Sequence, residues 1–418
     1  MFSSPSLSAL ELIPTIQRAM ASRTWLVSSK GDRMSRRWVR MLPAAILASA
    51  FILAGCGEDD PSGPSDAPVL AGWVRSYGIT AHAAGLSVKQ TGDGGYIVTG
   101  YANGTNGDCV LLLKTDAAGI NGWIKTFESP EWAVGKSVLQ TADDGYLVLA
   151  DYMGRTEEFW LIKTDPDGNM VWNQFKGYGD RNESPSQVQP TADGGYILIG
   201  STDRGGHDHD FWLVKTGSGG ETQWYTEKGY DDRDEFGHAI QQTSDGGYLM
   251  VGTTTVADGR IWLVKTFADG TTHWYKTVDT SGAAYGRALC KTSDGAYVVM
   301  GEVEQGSHQL IYLFKYDETG NELWRRPGDG SAWYWRGAVQ QTTDGGFMVA
   351  SSKSSDSSIA GDFCLIKCDG SGNTLWTKTY CTGICESGGQ TADGGYVLCG
   401  NGGRNVILIK TDPDGNVD

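Results

Sequence analysis

One phrase, Gln-Thr-x-Asp-Gly-Gly-Tyr, recurs seven times with minor substitutions. Its threonine falls at Thr91, Thr141, Thr191, Thr243, Thr292, Thr342 and Thr391, at spacings of 49 to 52 residues. A period of this length marks a repeat architecture in which each unit is one supersecondary element. Two further phrases keep step with the first. An apolar run ends in Lys114, Lys163, Lys215, Lys265, Lys315, Lys367 and Lys410, and a tryptophan follows at Trp123, Trp172, Trp224, Trp274, Trp324 and Trp376.

Each unit reads as four short strands, a to d. In the first copy they are Leu86–Gln90, Tyr96–Gly100, Val110–Thr115 and Trp123–Phe127. The Asp-Gly-Gly step between a and b is a hairpin signal, because glycine supplies the positive φ of a tight turn. The c–d turn is clearest as Asp165-Pro-Asp-Gly-Asn169, where proline presets φ and glycine closes the turn. Four antiparallel strands every 40–50 residues predict an all-β fold, a seven-bladed β-propeller of four-stranded antiparallel blades. The chain supplies a, b and c seven times but d only six times after them. The seventh d strand is expected at the other end, in Gly72–Tyr77, where Trp73 stands fifty residues before Trp123. The N-terminal strand is therefore predicted to pair into the last blade, close the ring and remove an open sheet edge.

Composition agrees. The 418 residues include 59 glycines and 39% hydrophobic residues, enough for a core and too glycine-rich for a helical protein. The net charge is −16, which argues against nucleic acid, since phosphate binding draws on surplus Lys and Arg. The first 55 residues carry seven basic residues against two acidic ones, which leaves −21 for the remainder.

The start of the chain carries an address. Arg36, Arg37 and Arg40 precede the apolar run Met41–Leu53, which ends in Ala54-Gly55-Cys56. A basic segment, a short apolar segment and small residues make a secretory signal, and the run is short for a membrane span. Leu53-Ala54-Gly55-Cys56 resembles the bacterial lipobox, which implies that Cys56 is acylated and becomes the mature N-terminus. Gly57 then favours the outer membrane over retention on the inner one. The expected organisation is an upstream extension and lipoprotein signal over 1–55, a lipidated Cys56 with a Pro/Ser/Gly tether over 56–70, and the propeller over 71–418. Met34 is the expected start of translation.

The repeats resemble a family of secreted bacterial and archaeal propellers built from Gln-Thr-x-Asp-Gly-Gly-Tyr units, a likeness that covers about 70–418 and implies fold more than activity. Lys315–Trp324 is similar to the tryptophan-docking motif of quinoprotein dehydrogenases. Thr-x-Asp-Gly-Gly-Tyr is similar to the Asp-box of sialidase-type propellers.

Residues repeated blade after blade belong to the scaffold. Each lysine is expected to meet a turn aspartate, worth about 0–1 kcal/mol as an exposed pair, and the tryptophans are expected to wedge between blades. Function belongs to what does not repeat, on the d–a and b–c connections of one face. The candidates there are Trp132, Tyr230, Asp231, Asp232, Arg233, Tyr285, Arg287, Trp333, Tyr334, Trp335 and Arg336. Trp333, Tyr334 and Trp335 form the sharpest feature, a run of aromatics suited to stacking on sugars or to a protein hot spot.

No cofactor or metal is called for; His207-Asp-His-Asp210 offers two histidines without a third ligand. Eight cysteines, five of them from Cys364 to Cys399, suggest a disulfide near the ring closure. The expected role is a non-enzymatic scaffold in the cell envelope that binds a protein or glycan. The alternative is a glycan-directed hydrolase or lyase, for which Glu183, Asp234, Glu235 and Glu386 are the available carboxylates.

Overall fold

The computed structural model describes residues 72–203, 208–230, 233–255, 259–328, 333–355 and 361–417. Within them lie seven four-stranded antiparallel sheets. In blade 1 the strands are a, Ala83–Gln90; b, Tyr96–Asn103; c, Asp108–Thr115; and d, Asn121–Phe127. The pattern repeats to blade 7, where a is Ile384–Gln390, b is Tyr396–Gly402 and c is Asn405–Thr411. Its d strand is Trp73–Tyr77, paired antiparallel with strand c through Trp73↔Lys410, Arg75↔Leu408 and Tyr77↔Val406. The ring is closed by its first strand, as the missing repeat element required.

The core lies between blades. Seven apolar clusters each draw side chains from two neighbouring sheets; Val98, Leu111 and Tyr96 of blade 1 pack with Val397, Cys399 and Leu408 of blade 7. The repeated tryptophan sits at each junction. Trp73 meets Tyr96 of blade 1 edge to face at 5.8 Å. It also covers Gly119 in the c–d turn of blade 1, where a Cβ would come within 2.6 Å of the indole and φ is +72°. The same contact links Trp123 to Gly168, Trp172 to Gly220, Trp224 to Gly270, Trp274 to Gly320, Trp324 to Gly372 and Trp376 to Gly415. These turn glycines are fixed twice, by positive φ and by the ring that lies on them.

At the same end of each blade the turn aspartate organises the a–b hairpin. Asp93 accepts hydrogen bonds from Thr91 Oγ1 at 2.5 Å and from the Gly95 amide at 3.0 Å. Lys114 Nζ lies 2.8 Å from Asp93 Oδ2 and also donates to the Thr115 carbonyl at 2.9 Å. All seven blades carry the pair, at 2.6–2.8 Å, with lysine side chains only 1–10% exposed and aspartates 31–66% exposed. The lysine is thus buried rather than exposed, and its carbonyl bond supplies what a bare surface pair lacks. A glutamine latch joins neighbouring hairpins: Gln140 Oε1 accepts the Gly92 amide at 2.8 Å, and Gln242, Gln341, Gln390 and Gln90 repeat the contact.

The disulfide expectation is corrected. The seven described cysteines form no disulfide, and all but Cys381 are buried. Cys385 and Cys399 lie on paired strands but out of register, opposite Gly400 and Ser387. They act as small apolar residues of the core, and burial pushes both thiols above their usual range.

Candidate functional site

Strand a of each blade runs along the axis, where seven strands converge. There its pairing with strand b slips. One extra residue stands between Gly85 and Ser87, Gly135 and Ser137, Pro185 and Gln187, Gly237 and Ala239, Gly286 and Ala288, and Cys385 and Ser387. In blade 6 the slip spans two residues, between Trp335 and Ala338. A bulge of this kind bends the strand and re-aims a side chain. Glycine precedes it where the neighbouring blade is closest: a Cβ on Gly135 would lie 2.1 Å from Thr99 Oγ1.

The bulged residues are Leu86, Lys136, Ser186, His238, Arg287, Arg336 with Gly337, and Glu386. All of them line one cavity of about 620 Å³, a volume in the range of small-molecule sites. Each bulge falls early in its strand, toward the end at which the d–a connection enters. The lining continues from these bulges to Lys89, Gln241 and Gln340, each two residues before a hairpin threonine, so the cavity follows the channel along strands a.

The ring is charged and cross-braced. Lys136 Nζ lies 3.5 Å from Asp151 Oδ2. Arg287 Nη2 donates to Glu302 Oε2 at 2.8 Å, and Gln309 donates to the same oxygen at 2.7 Å. The Arg336 amide donates to Glu302 Oε1, while its guanidinium reaches Glu386 Oε1 at 2.7 Å in the next blade. Arg336 holds φ at +54°, a left-handed conformation uncommon outside glycine.

His238 Nε2 stands 3.4 Å from Arg287 Nη1. Arginine only donates, so Nε2 is the acceptor and the imidazole proton resides on Nδ1. Burial, then the charges of Arg287 and Arg336, pull the His238 pKa down to about 3, which keeps the ring neutral. Lys89, three residues beyond the first bulge, lines the same cavity. Its side chain is exposed to the solvent of the channel, and the wall around it lowers its pKa. Among the described residues no carboxylate lies within ion-pair range of Lys89, and Glu386 is the one carboxylate in the lining.

The sequence candidates divide. Arg287 and Arg336 stand on the ring. Trp132, Tyr285 and Trp333–Trp335, expected in connections, belong instead to strands a, over Trp132–Gln140, Ala284–Lys291 and Trp333–Gln341. Trp132 Nε1 donates to Asp108 at 2.9 Å, and the Arg287 guanidinium covers Tyr285 at 5.3 Å. Trp333 and Trp335 stack at 6.4 Å and stay partly exposed. Tyr334 points the other way and is fully buried with Val339 and Phe347, because alternation along a strand sends the middle residue into the core.

Tyr230 packs against Trp262 and Tyr275, each at 5.4 Å, beneath Arg233. Asp231, Asp232 and His207 lie outside the described residues.

Of the four nominated carboxylates only Glu386 reaches the channel. Glu183 and Glu235 occupy equivalent, fully buried positions in blades 3 and 4. Each accepts a backbone amide, from Tyr178 or Tyr230, and a threonine hydroxyl, from Thr202 or Thr254. That repetition marks them as scaffold. Asp234 accepts the His209 amide.

Lys89, Lys136, Ser186 and His238 escaped the sequence reading. A signal existed: Leu86, Lys136, Ser186, His238, Arg287, Gly337 and Glu386 each stand five residues before the repeated threonine, at a position where the repeats disagree.

The architecture is that of known β-propellers. The chain is similar to the WD40 domain of Pan2 from Neurospora crassa, with a TM-score of 0.55 at 10% identity over 81% of this chain and 94% of that one. It is also similar to BBS1N, solved in complex with ARL6DN, with a TM-score of 0.54 at 11% identity over 84% and 98% of the two chains. At such identities the likeness is one of fold. No protein-family model matches the chain, and no curated protein matches it.

Proposed function

We propose that this chain is an exported, lipid-anchored propeller of the cell envelope that serves as a non-enzymatic binding scaffold for a protein or glycan. Its anchor would be Cys56, its tether residues 56–70, and its partner would be held at the channel mouth. The observation that carries this reading is the ring of unlike residues at one bulged position of a scaffold that otherwise repeats. A rigid frame with variable side chains gathered at one opening is the usual arrangement of a recognition surface. The nominated carboxylates do not gather there, which favours binding over glycoside hydrolysis. The BBS1N structure, a complex with another protein, is in keeping with a propeller used for association.

The test is a glycan array together with a pull-down from envelope extract, run with the parent protein and with a Trp335→Ala, Arg336→Ala double variant. Capture of a partner by the parent and its loss in the variant support the reading. Silence in both assays, with turnover of a glycoside panel, overturns it.

A further inference from the structure

We propose that the central channel binds an oxyanion, the carboxylate or phosphoryl group of a small molecule or of a sugar-chain end, between the bulge ring of Lys136, Arg287 and Arg336 and Lys89 further along the channel. This inference rests on the channel being the binding site and adds the chemistry of what enters it.

The channel inverts the charge of the molecule around it. Residues 56–418 carry −21, whereas the described lining of the channel holds four basic side chains against the single carboxylate of Glu386. Three of those cations are tethered: Lys136 to Asp151, Arg287 to Glu302 and Arg336 to Glu386. Their partners fix them in position and absorb most of their charge. Lys89 is the surplus. An ammonium without a counter-ion is open to pairing with an arriving anion, and the channel wall around it strengthens that attraction over its value in bulk water.

Donors remain for such a ligand. Arg336 directs one Nη to Glu386 and keeps a side chain 63% exposed, so much of its planar fork is open to bidentate contact. The tautomer imposed on His238 adds an uncharged N–H to the lining. A cavity with low-dielectric walls focuses the field of these groups onto whatever enters. A cationic ligand would meet Lys89, and a neutral one would leave it unpaired.

The experiment is calorimetric titration of the full-length protein with galacturonate, trigalacturonate, glucose 6-phosphate and glucose. At least one anionic sugar is expected to bind, and glucose is not. Galacturonate against glucose 6-phosphate separates carboxylate from phosphoryl, and trigalacturonate separates a chain end from a free sugar.

Lys89→Met should weaken anion binding by at least ~10-fold with an unchanged melting temperature, because it removes a solvent-exposed charge that has no partner. Lys291→Met makes the same charge change outside the cavity and should leave binding intact. Failure of every anion to bind at ~10 mM, a weak-binding limit, overturns the inference. So does binding of glucose equal to that of the acids, or full affinity in Lys89→Met. Partner capture that is lost in the Trp335→Ala, Arg336→Ala variant but retained in Lys89→Met would uphold the scaffold reading and reject the anion.

Discussion

The amide of Ala392 in blade 7 donates to the side-chain oxygen of Gln90 in blade 1 at 2.7 Å, across 302 residues of chain. The same latch joins four other junctions, so the closing interface is built like the interfaces between consecutive blades. Where Gln is replaced by Pro190 or Lys291 the latch is missing, and at the Lys291 junction Ser244 turns to Glu318 instead.

The strand and its tryptophan should outweigh the latch in holding the ring shut. Gln90→Ala removes one partly exposed hydrogen bond and is expected to cost about 1 kcal/mol. Trp73→Ala removes the indole that lies on Gly119 and Tyr96 and should cost about 3–5 kcal/mol. Thermal unfolding of the two variants checks the order; equal losses would show that closure does not depend on Trp73.

The hairpin pairs should govern acid stability. The hydrogen bond from Lys163, then that from Thr141, hold Asp143 at about 2. Asp193 and Asp294 are held at about 2 by Lys215 and Lys315 in the same way. A depressed folded pKa stabilises above the unfolded value and is lost as pH falls through the folded one. Stability is therefore expected to decline between about pH 4 and pH 2. The aspartates are more than half exposed, so solvent and salt should blunt each contribution. A pH series of melting temperatures for the parent and Asp143→Asn should converge toward pH 2; a constant gap would exclude this origin.

Glu183 should act with the opposite sign. Burial raises its pKa to about 7, and Oε2 has no hydrogen-bond partner. Its contribution is full below the unfolded value and is lost as pH rises from about 4 to about 7. Glu183→Gln is thus expected to be more stable relative to the parent at pH 8 than at pH 5, with a difference on the order of 2–3 kcal/mol. A relative stability that ignores pH would mean that the carboxyl titrates normally.

For the anchor, Cys56→Ser is expected to abolish lipid labelling and release the protein from the membrane fraction. Unchanged fractionation would count against acylation at this position.

Much of the scaffold could be read from the chain because it obeys local rules seven times over. Thr91, Asp93, Gly95 and Lys114 build a hairpin whose parts are close in sequence or one strand apart, and Trp73 announced the closing strand by its spacing. The channel was harder to see. An inserted residue shifts the period-two alternation of a strand, so the segments before His238, Arg287 and Arg336 read as connections although they are strands. For the same reason Tyr334 looked displayed, when its strand turns it inward between Trp333 and Trp335. Lys89 differs from any surface lysine only by what six other blades place around it, and no local pattern encodes that.

Because Ser76 and Asn405 meet from positions 329 residues apart, the segment synthesised first in the propeller finds its partner last. The rim of the final sheet stays unsatisfied until nearly all of the polypeptide has been made. Maturation of this molecule is thus tied to completion of the whole chain, and a truncated product would carry a ready template for illicit strand addition.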